Sequence, residues 1–153
     1  MADIDLTALF QSRKAGIDCP MCPDSAQLDV VAELASGKVH LQNDADYRGY
    51  CILVFRRHAI EIYELTPQER HDWVEDIARI GKAIDEVCAP AKLNVSMLGN
   101  LCPHLHCHLM PRTVGDPEWV GPPAFRSTEQ RTPLPPEEYA HLLKALQSAL
   151  NLG

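Results

Sequence analysis

Apolar and polar positions change rhythm several times along the 153 residues. Over residues 5–16, Leu6, Leu9 and Phe10 recur at helical spacing, which predicts a short amphipathic helix. Cys19-Pro20-Met21-Cys22-Pro23 then interrupts any regular element as a proline-punctuated knuckle. Strands are predicted over 27–34 and 38–42, with Ser36-Gly37 as the turn between them, and over 50–56, around the apolar run Cys51-Ile52-Leu53-Val54-Phe55. Thr66-Pro67-Gln68-Glu69 is a helix start: an N-cap threonine, proline at the first helical position and a glutamate placed to close a capping box. Trp73, Ile77, Ile80, Ile84 and Val87 follow at steps of three and four, one apolar stripe along a helix that Ala89-Pro90 ends. Alternation returns over 92–98, and Gly99-Asn100 breaks it.

The next segment, His104-Leu105-His106-Cys107-His108-Leu109-Met110, alternates histidine with apolar residues. As a strand it would project all three imidazoles from one face, roughly 6–7 Å apart, and send Leu105, Cys107 and Leu109 into a core. Residues 111–136 hold seven of the twelve prolines and should form an extended surface loop. Tyr139, Leu142, Leu143, Leu146 and Leu150 mark a closing helix. One long helix set between strands of an antiparallel sheet gives an α+β class, and the length suits one domain spanning 1–153.

Charge narrows the possible partners. Fourteen Lys and Arg stand against 21 Asp and Glu, a net −7 that is poorly suited to gripping a nucleic-acid backbone. A small phosphorylated ligand needs only a few local cations, for which Arg56, Arg57 and Arg112 are available. No apolar run approaches the ~20 residues of a membrane span, and the acidic start Met1-Ala2-Asp3-Ile4-Asp5 has no signal-peptide core, so a cytoplasmic location is expected. The six cysteines do not form a disulfide framework; Cys51 and Cys107 read as small core residues.

A neutral imidazole is a good nucleophile toward phosphorus when its second nitrogen is fixed by a hydrogen bond. Three in a row can divide the work of attack, tautomer control and donation to phosphoryl oxygens. Two plainer readings stay open on these residues alone: a histidine pair that simply binds zinc, or a solvated polar row. For Cys19 and Cys22, zinc, a dithiol redox pair and unligated thiols are likewise all open.

The wider pattern resembles the histidine triad family, whose signature is His-φ-His-φ-His-φ-φ with φ apolar. His104 to Met110 matches it throughout, with Cys107 as one φ. Asn94, Gly99-Asn100 and Pro103 resemble the family's lead-in, Tyr47 to His58 its glycine, apolar strand, basic residues and histidine, and Glu64 to Glu69 its helix start. The resemblance covers residues 19–112, and more loosely Gly115 to Trp119, leaving 113–153 as proline-rich loop and C-terminal helix. It implies an enzyme, hydrolysing or transferring at the α-phosphate of dinucleoside polyphosphates, nucleoside phosphoramidates or related adenylylated compounds. His106 would be the nucleophile and His108 would contact the phosphoryl group, with Asn100 and Asn94 as substrate-binding positions. It also implies a homodimer, structural zinc held by Cys19, Cys22, His58 and His104, and no organic cofactor. A non-catalytic nucleotide-binding or zinc-stabilised interaction module is the alternative.

Outside the motif, His71 and His141 read as surface residues and His40 as a half-exposed strand histidine near a ribose position. Asp44 and Asp46 suit a turn. Trp119 could stack on a base or simply pack.

Overall fold

In a computed structural model, residues 5–22 and 29–151 are described. Five antiparallel strands form one sheet: β1 (Val30–Glu33), β2 (Gly37–Leu41), β3 (Cys51–Phe55), β4 (Lys92–Ser96) and β5 (His106–Arg112), in spatial order β1-β2-β3-β5-β4. The apolar strand β3 and the histidine-bearing strand β5 sit in the middle and are buried along their whole length. Part of the predicted 27–34 strand lies outside the described residues.

Three helices accompany the sheet: α1 (Leu6–Lys14), α2 (Pro67–Cys88) and α3 (Pro136–Asn151). The start of α2 is as predicted. Thr66 Oγ1 accepts from the Glu69 N–H, and Glu69 accepts from the Thr66 N–H at 2.8 Å, so each satisfies an otherwise orphaned donor. At the far end Ala89 takes a left-handed conformation and closes the last turn. Trp73, Ile80, Ala83 and Ile84 of α2 and Leu142, Leu146 and Leu150 of α3 bury against Val39, Leu41, Leu53, Cys107 and Leu109. The Trp73 ring meets Phe55 edge-on at 5.6 Å. Cys51 and Cys107 are core residues, as expected.

Pattern alone does not expose the Asp76 contact. Its buried carboxylate accepts from the Ser36 N–H at 2.7 Å and the Ser36 hydroxyl at 2.6 Å, tying α2 to the β1–β2 turn. Gly37 beside it is obligatory: a Cβ there would stand 1.9 Å from the Val54 carbonyl oxygen.

Helix α1 forms as predicted, with Leu6 exposed and Leu9 and Phe10 half-buried. Arg13 of this helix donates to the Leu101 carbonyl at 2.8 Å. One expectation changes. The histidine strand begins at His106, two residues later than predicted, leaving His104 in the bend before it.

Helices cover one face of the sheet. The other carries Tyr50, Ile52, Val54, Met110 and the histidines.

Candidate active site and metal centre

Strand register decides which side chains share that second face. His40, Ile52, His108 and Ser96 lie in one row across β2, β3, β5 and β4; Lys38, Val54 and His106 form the next. His106 and His108, two apart on β5, therefore point the same way. Their rings meet edge-on with centroids 4.8 Å apart. On the β1–β2 side a cavity of about 250 Å³ is lined by Met21, Val30, Leu34, Lys38, His40 and Val54, among others. Its floor lies one to two strands from His106, on the order of 5–10 Å at ordinary strand spacing. His40 is buried in this wall rather than half-exposed as expected, while His71 and His141 are exposed as expected.

His58, His104, His106 and His108 each have one ring nitrogen fixed. A carbonyl oxygen only accepts, so the ring nitrogen facing it must carry the proton. His106 Nδ1 lies 2.5 Å from the His104 carbonyl, which leaves Nε2 with its lone pair. His104 Nε2 donates to the Phe55 carbonyl at 2.9 Å, and His58 Nε2 to the Lys14 carbonyl at 3.0 Å; both then present bare Nδ1 atoms. His108 Nδ1 meets the Tyr50 hydroxyl at 2.6 Å. Burial pushes the imidazoles of His104 and His106 below their ordinary pKa. Burial, with His106 and the Arg131 guanidinium nearby, takes His108 down to about 3. Burial thus favours the neutral form of His104, His106 and His108.

The bare Nδ1 atoms of His58 and His104 converge on the cysteine knuckle. Cys19 Sγ is 3.4 Å from His104 Nδ1, Cys22 Sγ is 3.6 Å from His58 Nδ1 and 3.9 Å from His104 Nδ1, and the four ligand atoms lie within 4.8 Å of one another. Tetrahedral zinc, with bonds near 2.3 Å to sulfur and 2.0–2.1 Å to nitrogen, puts its sulfur and nitrogen ligands ~3.5 Å apart. Two thiols, two imidazoles with outward-tied second nitrogens and these spacings suit such an ion. The knuckle follows α1 in the chain. A further thiol, Cys102, lies against Cys19, and burial pushes it up to about 12.

The family model described as HIT domain matches residues 25–115, more than half of the chain. The chain belongs to the histidine triad family. A histidine triad protein from Marinobacter aquaeolei VT8 is 31% identical, with a TM-score of 0.73 over 82% of this chain and 90% of that one. Two more distant structures share the fold. A zinc-bound histidine triad family protein from Mycobacterium smegmatis is 20% identical, with a TM-score of 0.66 over 89% and 95%. The diadenosine triphosphate hydrolase of Plasmodium falciparum is 16% identical, with a TM-score of 0.60 over 83% and 79%. The curated proteins yield no match.

Within this histidine triad fold the remaining predicted positions scatter. Asn100 is exposed in the bend before β5 and makes no hydrogen bond among the described residues. Asn94 shares the site face of β4, opposite Met110, but its Oδ1 accepts from Arg112 at 2.7 Å. Arg112 itself is buried and bound to Asp116 through two 2.8 Å bonds, so it is not a free phosphate cation. Arg57 is likewise paired, with Glu69; of the three arginines only Arg56 lines the cavity. Trp119 packs over the Arg112 guanidinium, with the cation 5.8 Å from its ring. Asp44 and Asp46 serve the turn, the Asp46 N–H donating to Asp44 Oδ1, and ion-pair with Arg131 and Arg126.

Three site residues escape a sequence reading. Phe125, in the proline-rich loop, stands edge-on to His108 at 5.0 Å. Arg131 lies over the Tyr50 ring at 5.3 Å and donates to Gln42 Oε1 at 2.8 Å. Tyr50 reaches His108. For Phe125 and Arg131 the only local signal is a place among the two aromatics and three arginines of a proline-rich loop. Among the described residues, no helix is long and apolar enough to cross a membrane.

Proposed function

We propose that this histidine triad protein is a nucleotide hydrolase or nucleotidyl transferase acting through His106. The observation that carries the reading is the 2.5 Å bond from His106 Nδ1 to the His104 carbonyl, which turns the Nε2 lone pair toward the open face of the sheet. Nε2 attacks the α-phosphorus, a phosphorus–nitrogen bond forms, and the bond to the leaving group breaks with its electron pair going to that group. Water, or another acceptor, then attacks phosphorus and returns the electron pair to Nε2. His108 donates to the phosphoryl oxygens on which negative charge accumulates.

Dinucleoside polyphosphates, nucleoside phosphoramidates and related adenylylated compounds are the substrate classes, with the nucleoside in the cavity beside Val54 and His40. Asn100 and Asn94 border the phosphate path. Cys19, Cys22, His58 and His104 hold a structural zinc ion that anchors the knuckle to the start of β5, and the assembly is a homodimer.

The test is release of adenosine monophosphate from diadenosine polyphosphates and adenosine phosphoramidate by the wild type and His106→Ala side by side. Removing the nucleophile should lower turnover by at least roughly a thousandfold while nucleotide binding persists. Binding without turnover in the wild type would instead favour a non-catalytic nucleotide-binding module.

A further inference from the structure

The nucleophile's tautomer is set by a backbone carbonyl, but His108 has a side chain in that place. Tyr50 is the residue immediately before β3, 1% exposed, and its hydroxyl sits 2.6 Å from His108 Nδ1. Two arrangements of protons satisfy that distance, and they leave opposite groups at the reacting end of the ring. If Nδ1–H donated to the phenol oxygen, Nε2 would offer a lone pair to an anionic phosphoryl group. If the phenol donates, Nε2 carries the proton and faces the anion as a donor.

The surroundings choose between them. Among the described residues the Tyr50 hydroxyl has no hydrogen-bond partner other than His108, so donation from Nδ1–H would leave a buried O–H without an acceptor. Burial pushes the phenol pKa up, so the proton stays on oxygen, and His108 stays neutral with one nitrogen free to accept. The tyrosine is itself held in place. Arg131 covers its ring at 5.3 Å and is fixed by Gln42 Oε1 at 2.8 Å and Asp44 at 3.7 Å, while Phe125 packs on the far partner, His108, at 5.0 Å.

We propose that Tyr50 is a positioning residue, donating to His108 Nδ1 and so presenting Nε2–H to the phosphoryl group that His106 attacks. This rests on the nucleotidyl-transfer reading for its catalytic consequence, but not for the tautomer. The two imidazoles then stand side by side in opposite proton states, one lone pair aimed at phosphorus and one N–H aimed at its oxygens.

The experiment uses the full chain and Tyr50→Phe. Long-range proton–nitrogen NMR of the wild type should show His108 with a bare Nδ1 and a protonated Nε2; its signals are assigned by their loss in His108→Gln. A protonated Nδ1 in the wild type overturns the proposal whether or not the protein turns over any substrate. In Tyr50→Phe the His108 signals should shift toward a mixture of both tautomers. With diadenosine polyphosphate, kcat should fall about tenfold, one hydrogen bond's worth of bias, with KM within about twofold. A variant with wild-type kcat, or one whose KM alone rises, refutes the positioning role.

Discussion

Replacing Arg112 with methionine removes a buried cation but keeps an apolar stem of similar reach. In the wild type, Nε and Nη2 bond both Asp116 oxygens at 2.8 Å, Nη1 bonds Asn94 Oδ1 at 2.7 Å, and the carbonyls of Pro117, Glu118 and Gly121 complete the shell at 3.2, 2.8 and 3.2 Å. The side chains of Arg112 and Asp116 are 2% and 4% exposed, so solvent screening does little to weaken their attraction. Arg112→Met leaves a carboxylate and three carbonyls facing a hydrocarbon. Breaking a buried pair from one side costs about 3–5 kcal/mol. At about 2.1 cal/mol/K of unfolding entropy per residue, 3 kcal/mol lowers the Tm of a chain this size by roughly 10 °C.

Urea unfolding measures the loss directly, with Arg112→Met/Asp116→Leu as the second arm. The double variant should be less destabilised than the sum of the two single changes, because the orphaned carboxylate is gone. Acid gives the sign check. The guanidinium holds the Asp116 carboxyl below its ordinary value of 3.8, so the ion-pair contribution is complete above that value and is lost as pH falls through the depressed folded one. The stability gap between wild type and Arg112→Met should narrow on acidification, beginning where the unpaired Asp116 of the variant takes up a proton and closing as pH falls through the depressed folded value of the wild type. An Arg112→Met protein within about 1 kcal/mol of wild type at pH 7 would refute the view of this residue as the loop's anchor.

Cys19→Ser/Cys22→Ser should lose one equivalent of zinc by elemental analysis and melt several degrees lower; an untreated wild type free of zinc ends that reading. Gly37→Ala, with its new Cβ 1.9 Å from the Val54 carbonyl oxygen, should separate β2 from β3 and cost at least about 3 kcal/mol in urea unfolding, and a near-wild-type midpoint would show the turn to be slack.

Local chemistry was legible in the sequence where it depended on neighbours a few residues apart. The Thr66 capping box, the α2 stripe and the histidine-bearing strand all repeat within one turn or one pleat. The metal group was legible through family resemblance, because its ligands come from residues 19–104 and no spacing rule joins them. What stayed hidden depends on chain reversal. Arg112 looks like a free phosphate cation until the segment after it folds back and places Asp116 under the guanidinium. Phe125 and Arg131 look like loop residues until the loop crosses the sheet beside Tyr50. The late start of β5 also depends on distant contacts: in the bend before the strand, His104 turns Nε2 to the Phe55 carbonyl and Nδ1 to Cys19.

Fixing one nitrogen of each of these four imidazoles also sorts the ligands each ring will accept. His58 and His104 turn bare nitrogens toward two thiols, a combination that soft divalent ions favour. Two residues on, His106 offers a lone pair but His108, capped by the Tyr50 hydroxyl, offers a proton. A cation bridging that pair would have to displace the proton of one ring, so the histidine row suits a metal less well than the group of Cys19, Cys22, His58 and His104. One short stretch of chain thereby keeps two chemistries apart by where the protons sit, with no wall between them.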